Sequence, residues 1–341
     1  MKNKKLYICY FFIAIFLYSC ESYFFEEQIQ NTPEENFRYL WNEINEKYSF
    51  FDVKQIDWDS IYSVYQPMIR QSMSDGELFS VLGSMLNQLK DGHVNLISPF
   101  NVSRYDISLL GKENINERLV KEKYLGNDYF STGSFRHNYI MNGNIGYIRY
   151  SSFSDSQITN YELDFILKKY KGTEGLIIDL RQNGGGYVSN VFRLLSRFSN
   201  KEKILYTTQI KSGTGRNDFS DLEVVSSTSG SGEKYFNKVA VLIDRGTFSA
   251  SSFFALSTYA YDNMFLVGDT TGGGLGLPNG GQLPNGWTYR CSVTRTIAAD
   301  GNNYENGVPP DYTVILSDYS VSQGIDNVIE FAAEKILENN Y

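Results

Sequence analysis

The spacing of apolar residues predicts helices in the first third of the chain. Between residues 33 and 91, apolar side chains recur every three or four positions, as in helices that bury one face. Thr32 and Glu35 have the spacing of a capping box, which marks the start of the first helix. The last helical pattern stops at Gly92, a residue type that often ends helices, so we expect His93 at a fixed place just beyond a helix.

The pattern changes after residue 143, where short apolar runs alternate with amphipathic stretches. Strands are predicted at residues 145–150, 175–180, 203–210, 239–243 and 264–267, and helices at residues 157–170, 188–198 and 249–261. Residues 99–143 are predicted to be a polar, irregular connection, and residues 211–232 a polar loop or hairpin. Repeated strand-helix-strand units favour an α/β core with crossover connections.

The N-terminal residues predict export from the cytoplasm. Three lysines precede an apolar stretch at residues 8–17 that is too short to span a membrane as a mature helix. The stretch ends in LYSC, which resembles the lipobox of bacterial lipoproteins, where the cysteine is lipidated. We therefore expect a signal peptide at residues 1–19, a lipid on Cys20, and a tether at residues 20–32 to the cell envelope of a Gram-negative bacterium. The alternative is an ordinary signal peptide that happens to precede a cysteine.

Charge and cysteine usage exclude other classes of protein. Residues 1–19 hold three lysines and no acids, so their removal changes the formal charge from −8 to −11 and makes nucleic acid an unfavourable partner. Cys9 lies in the predicted signal peptide and Cys20 at the predicted anchor. Because Cys291 is then alone in the folded part, we expect neither an internal disulfide nor a cysteine-ligated metal.

Three short segments supply the residue types that acyl transfer requires. They are residues 90–93 (KDGH), 179–186 (DLRQNGGG) and 244–251 (DRGTFSAS). The first offers a histidine with a pKa near neutrality, the second a run of glycine amides, and the third a hydroxyl. Two of these segments have an alternative interpretation at this point. His93 alone is typical of a structural histidine, and the glycine run is typical of a tight turn. The glycine run matches neither a phosphate-binding loop nor a dinucleotide fingerprint, and the second histidine, His137, lies in polar sequence without a motif.

Ser249 follows the predicted strand at residues 239–243 and lies at the first turn of the next predicted helix. A serine at such a corner exposes its hydroxyl, and the amide of Ala250 points from the positive end of the helix dipole. Nucleophile and oxyanion donor thus come from adjacent residues. The alternative is that Ser249 only caps the helix, and the neighbouring hydroxyls of Ser251 and Ser252 are further candidates.

In order and spacing, these segments resemble the C-terminal processing peptidases, the serine peptidase family that includes tail-specific proteases and the tricorn core. The resemblance extends over residues 35–315 and includes GDTTGG at residues 268–273 and ENGVPPD at residues 305–311. It implies a crotonase-like α/β catalytic domain at residues 144–341, preceded by a helical domain at residues 33–98. Residues 99–143 are too few for the peptide-binding PDZ domain that tail-specific members insert there.

Two catalytic designs occur in this family, and the sequence distinguishes between them. A Ser-Lys pair needs a lysine in the glycine-rich turn after the nucleophile, but no lysine occurs between Lys238 and Lys335. The tricorn-like design instead uses a serine, the histidine of the Asp-Gly-His motif and a glutamate. By resemblance these are Ser249, His93 and Glu305, in which the carboxylate would orient the histidine ring and stabilise its charged form.

The resemblance also implies oxyanion donors at the amides of Ala250 and Gly185, and a mechanism without a metal or cofactor. The expected function is hydrolysis of peptide or protein substrates by an anchored serine endopeptidase or oligopeptidase. A non-catalytic ligand-binding lipoprotein on the same fold has no need of all three catalytic residues. An esterase would share them and differ only in its substrate, and the oligomeric state stays open.

Overall fold

The computed structural model describes residues 30–338. The predicted signal peptide and the predicted lipidation site Cys20 lie outside the described residues, as does most of the predicted tether. Within residues 30–338, no helix is long and apolar enough to cross a membrane.

Within residues 30–94, the described chain forms three α-helices: α1 (Pro33–Lys47), α2 (Trp58–Tyr65) and α3 (Asp75–Asn87). The first begins where the capping residues predict, because Thr32 Oγ1 accepts the N–H of Glu35 at 3.2 Å. A complete capping box starts α3. Their apolar faces meet in one buried core.

The end of α3 at Asn87 comes earlier than the apolar pattern predicts. The amides of the next three residues donate to carbonyls three positions back, and Lys90 has a left-handed φ of 48°. The chain therefore turns before Gly92 instead of at it. Leu89 is nevertheless buried, which explains why the apolar spacing continues past the helix. His93 thus lies on a turn of defined backbone geometry.

Strands form three sheets in the described part of the chain. The strands are β1 (Asn95–Ile97), β2 (Val102–Arg104), β3 (Phe130–Thr132), β4 (Phe135–Ile140), β5 (Ile145–Tyr150), β6 (Gly175–Asp179), β7 (Lys203–Ile210), β8 (Glu223–Ser227), β9 (Lys238–Ile243), β10 (Met264–Gly268), β11 (Pro278–Gln282), β12 (Thr288–Ser292), β13 (Thr294–Ala298) and β14 (Tyr312–Thr313). The helices that follow α3 are α4 (Glu117–Leu119), α5 (Asn160–Lys169), α6 (Val188–Leu195), α7 (Ala250–Ser257), α8 (Asp318–Ser322) and α9 (Asn327–Leu337). The sheet orders are β14-β10-β9-β6-β5-β4-β3, β11-β12-β1-β2 and β13-β7-β8.

The seven-stranded sheet is parallel from β14 to β5 and carries helices on its faces. Every residue of β5 and β6 is buried, as expected for strands covered on both sides. Because β6 and β9 are neighbours, with Asp179 opposite Leu242, the segments that follow them leave the sheet side by side. The mixed α/β class with a leading helical segment is therefore confirmed, and two of the three motifs meet at one sheet edge.

Residues 99–143 differ from the irregular connection that the sequence predicts. They contain β2, α4 with a π-helical continuation (Val120–Leu125), and the hairpin of β3 and β4, which extends the seven-stranded sheet beyond β5. β4 starts with the buried Phe135, the exposed Arg136 and the buried His137, so one of its buried positions is polar. A polar residue on the buried face conceals the alternation that predicts a strand.

The predicted boundary between the helical and catalytic domains does not separate the cores. β12, from the C-terminal half, pairs with β1, and Trp287 and Cys291 pack in the same apolar core as Trp58. Residues distant in sequence thus complete the N-terminal core. Since β1 begins at Asn95, this shared sheet also fixes the position of His93.

Candidate active site

Ser249 occupies the corner between β9 and α7. Its φ of 58° and ψ of −123° lie in a region that residues with a side chain rarely adopt. Two backbone hydrogen bonds hold the corner: Phe248 N–H donates to Asn183 O at 3.0 Å, and Ser249 N–H donates to Gly273 O at 2.9 Å. A strained strand-to-helix turn of this kind presents a hydroxyl as a nucleophile.

The structure brings His93 and Ser249 together, with His93 Nε2 2.9 Å from Ser249 Oγ. The imidazole packs against Phe248, with 4.8 Å between the ring centroids. Asp91 fixes the turn, because its Oδ1 accepts the His93 N–H at 2.8 Å and its Oδ2 accepts the Ser292 hydroxyl at 2.9 Å. The distance between Oγ and Nε2 suits direct proton transfer.

The neighbouring hydroxyls have other surroundings. Ser252 Oγ donates to the carbonyl of Thr247 at 3.0 Å. Ser251 is fully buried, and its Oγ has no hydrogen-bond partner within residues 30–338. Of the three candidate serines, Ser249 is the one in contact with His93.

Burial lowers the pKa of His93 below its ordinary value of 6.5. The Asp91 carboxylate and the backbone of Gly276 oppose this effect, and the nearby Arg290 adds to it. The ring is therefore neutral at physiological pH. A neutral ring can accept the proton of Ser249, while the Asp91 charge favours the imidazolium that results.

Glu305 lies in the same buried cluster, but it makes no hydrogen bond to the histidine ring within residues 30–338. Its Oε2 accepts the N–H of Leu275 at 2.6 Å, and its Oε1 lies 3.9 Å from Lys54 Nζ. His93 Nδ1 has no hydrogen-bond partner in the described part of the chain. The expected Glu305–His93 hydrogen bond is thus absent from this structure, in which one carboxylate oxygen accepts a backbone amide and the other lies near an ammonium group.

The pKa values of Glu305 and His93 share one influence, the backbone of Gly276. The backbone of Gly276 favours the charged form of both groups. Burial and the charge of Asp91 raise the pKa of Glu305 well above its usual value, and Lys54 opposes them. The triad role of Glu305 stays a prediction, and its structural role is to hold the segment beside the histidine.

The two predicted oxyanion donors lie beside the nucleophile. The amide of Ala250, the first residue of α7, donates no hydrogen bond within residues 30–338, so it is available to an oxyanion. Gly185 packs against Ser249, but its N–H donates to Asn183 Oδ1 at 3.0 Å. The donor role of Gly185 stays a prediction that requires this amide to exchange its partner.

The sequence interpretation missed two residues of this site. Asp91 stands in the KDGH segment, so its place two residues before His93 was a signal that it could cap the turn. Lys54 carries no signal, since it lies on a turn between α1 and α2, far from any motif. No group of three or more His, Cys, Asp or Glu residues suited to a metal ion occurs within residues 30–338.

Comparison with protein-family models gives two matches. Residues 144–314 match peptidase family S41, and residues 29–87 match the tricorn protease C1 domain. The chain belongs to peptidase family S41. This confirms the resemblance carried by the motifs, and the S41 match spans both Ser249 and Glu305.

Curated S41 relatives are longer than the matched region. Carboxy-terminal processing protease CtpA of Bacillus subtilis (strain 168) is 27% identical over 178 residues, which cover 52% of this chain and 36% of CtpA. CtpB of the same organism is 26% identical over 176 residues, covering 51% of this chain and 35% of CtpB. The chain therefore matches about a third of the length of these relatives.

Solved structures match over nearly the whole chain. A presumed peptidase from Parabacteroides merdae ATCC 43184 is 35% identical with a TM-score of 0.86, covering 91% of this chain and 98% of that chain. Mature CPAF is 12% identical with a TM-score of 0.66, covering 89% of this chain and 96% of its own. At that identity, the likeness to CPAF concerns the fold alone.

Proposed function

We propose that this S41 family member is a membrane-anchored serine endopeptidase or oligopeptidase that cleaves peptide bonds through an acyl-enzyme on Ser249. The observation that carries the proposal is the 2.9 Å separation of Ser249 Oγ and His93 Nε2 at a strained helix start. Membership of a peptidase family supports peptide or protein substrates.

The reaction begins when Ser249 Oγ attacks the peptide carbonyl carbon and its proton passes to His93 Nε2. The amide of Ala250 is available to donate to the carbonyl oxygen as that oxygen becomes negative. The imidazolium then gives its proton to the departing amine, the C–N bond breaks, and the acyl-enzyme remains. A water molecule next transfers a proton to His93 and attacks the acyl carbon. The proton returns to Ser249 as the carboxylic acid product leaves.

Labelling with a fluorophosphonate, which reacts with activated serines, tests the proposal. Peptide mapping should place the label on Ser249, and Ser249→Ala should abolish labelling and lower turnover of fluorescent casein by at least about 10³-fold at an unchanged melting temperature. Ser251→Ala is the matched control and should keep its label. A label on Ser251 would show that Ser251, and not Ser249, is the nucleophile. An unlabelled wild type would favour a ligand-binding lipoprotein. Labelling with ester hydrolysis but no peptide cleavage would favour an esterase.

The anchoring part of the proposal is supported by the sequence LYSC, with Cys20 as the lipidated residue in the envelope of a Gram-negative bacterium. Growth with an alkyne fatty acid should label the wild type and place it in the membrane fraction. Cys20→Ser should lose both properties. A wild type recovered in soluble periplasmic form, without lipid mass on its N-terminus, would contradict anchoring and leave the proposed hydrolysis unaffected.

A further inference from the structure

Lys54 is a partly buried cation that reaches the active site from the N-terminal helical part. It lies on the turn between α1 and α2, where its N–H donates to Phe50 O at 2.9 Å. Phe50 and Phe51 are buried in the N-terminal core, so the turn is anchored at its base. The Lys54 side chain is only 10% exposed, which is uncommon for lysine and requires polar partners.

The ammonium group of Lys54 contacts two other segments of the chain. Its Nζ donates to the carbonyl of Lys90 at 3.2 Å and to Asn306 Oδ1 at 3.2 Å, and it lies 3.9 Å from Glu305 Oε1. Lys90 leads directly into the turn that carries His93. A single side chain therefore joins the His93 turn to the Glu305 turn.

This contact also brings a positive charge to a region with two buried carboxylates. Glu305 and Asp91 are each 2% exposed, and two like charges in such surroundings destabilise each other. Burial raises the pKa of both Tyr48 and Cys291, which border the cluster, so neither carries a charge near neutral pH. The Lys54 ammonium therefore opposes the rise in the pKa of Glu305 that burial and the Asp91 charge cause.

We infer that Lys54 is a positioning residue, which holds the His93 and Glu305 turns together and pairs the Glu305 charge so that His93 Nε2 faces Ser249. The inference rests on the proposed function, because it assigns a role within the same active site. Lys54 acts through Lys90 and Glu305 and is not expected to touch the reacting atoms.

The first experiment measures the His93 ring without requiring activity. The chain has two histidines, so ¹⁵N-histidine NMR with His137→Gln for assignment isolates the His93 signal. Lys54→Met should raise the pKa of His93, because the loosened turn admits water and weakens the burial that lowers this pKa. Lys54→Arg should restore it, and Lys171→Met, which removes an exposed ion pair elsewhere, is the matched control. An unchanged His93 titration in folded Lys54→Met would overturn the inference.

The second experiment measures the rate of fluorophosphonate labelling between pH 5 and 9. Lys54→Met should slow labelling by about 10- to 100-fold near pH 6, the range for loss of a charged hydrogen bond. The deficit should shrink as the pH rises, because loss of Lys54 removes a charge that lowers the pKa of Glu305, and a higher pH restores the carboxylate. A deficit that is equal at every pH would assign Lys54 a purely structural role and contradict the inference.

Two further comparisons separate the remaining outcomes. In a Glu305→Gln background, Lys54→Met should slow labelling little further. A decrease in rate as large as the one in the wild-type background would contradict action through Glu305. Lys54 also borders a cavity of about 730 Å³ beside Phe248, so an effect confined to KM for p-nitrophenyl acetate would instead assign it to substrate binding.

Should Lys54→Met not fold, Lys54→Gln tests the same charge. A wild type without labelling refutes the proposed function alone, and the NMR result then decides the role of Lys54.

Discussion

Gly185 lies so close to Ser249 that no side chain fits between them. A Cβ on Gly185 would lie 2.8 Å from Ser249 Cβ and from the Ala250 amide nitrogen. The φ of 96° at Gly185 is also one that residues with a side chain rarely adopt. The turn after β6 and the corner after β9 are thus fitted to each other along their main chains.

Gly185→Ala should therefore disturb the nucleophile more than the fold around it. The added methyl group must displace the Ser249 corner, so we expect fluorophosphonate labelling to slow by about 10²-fold or more. Gly184→Ala is the matched control, since a Cβ there meets no atom within 4 Å. Equal labelling rates for the two variants would show that the main-chain fit does not matter for reactivity.

The pH dependence of labelling should report the ionisation of His93. The ring must be neutral to accept a proton, and burial lowers its pKa below 6.5. The rate should therefore rise with pH through one ionisation whose midpoint lies below 6.5 and be constant above it. His137→Gln should give the same curve. A midpoint above 7.5, or a curve that His137→Gln shifts, would contradict the assignment of His93 as the base.

Glu305→Gln tests how directly the glutamate supports the histidine. A carboxylate in contact with the ring would give a loss of roughly 10² to 10⁴ in kcat. Because Glu305 engages Leu275 and Lys54 instead, we expect a smaller loss of about 10- to 100-fold with little change in KM. Steady-state kinetics with p-nitrophenyl acetate measures both constants. A loss near 10⁴ would show that Glu305 meets His93 directly during turnover.

Stability should also depend on pH through His137. Its ring nitrogens lie 2.9 Å from Thr132 Oγ1 and 2.8 Å from the Tyr170 hydroxyl, and burial, with a contribution from Lys169, lowers its pKa from 6.5 to about 4. Between these values the unfolded chain binds a proton that the folded chain does not, so the free energy of unfolding should decrease as the pH falls from 6.5 to 4. Urea unfolding at pH 4.5 and 7.5 measures the decrease. His137→Gln should make it smaller, and an equal decrease would exclude His137 as its source.

The contact between Ser249 and His93 could be predicted from the sequence, although the two residues are 156 positions apart. Each lies in a short motif at the end of a regular element, and the motif order matches a family of known design. The end of β9, which periodicity locates, places Ser249, and the KDGH segment places His93 on the turn that follows α3.

The partners of Glu305 could not be predicted in the same way. A buried carboxylate binds whichever donors the packing of distant segments brings near, and here these are Leu275 and Lys54. Neither residue stands in a pattern that periodicity or motif spacing detects. The β3–β4 hairpin was missed for a related reason, since His137 on its buried face is satisfied by partners that only the folded sheet supplies.

The base and the nucleophile belong to different apolar cores. Leu89 and Val94 flank the His93 turn in the core of the N-terminal helices, whereas Ala250 belongs to the core of the seven-stranded sheet. A newly made chain that has formed only one of these cores holds every residue for hydrolysis but no reactive serine. Any state in which one of the two cores is unfolded therefore separates His93 from Ser249, so the contact between base and nucleophile depends on both cores.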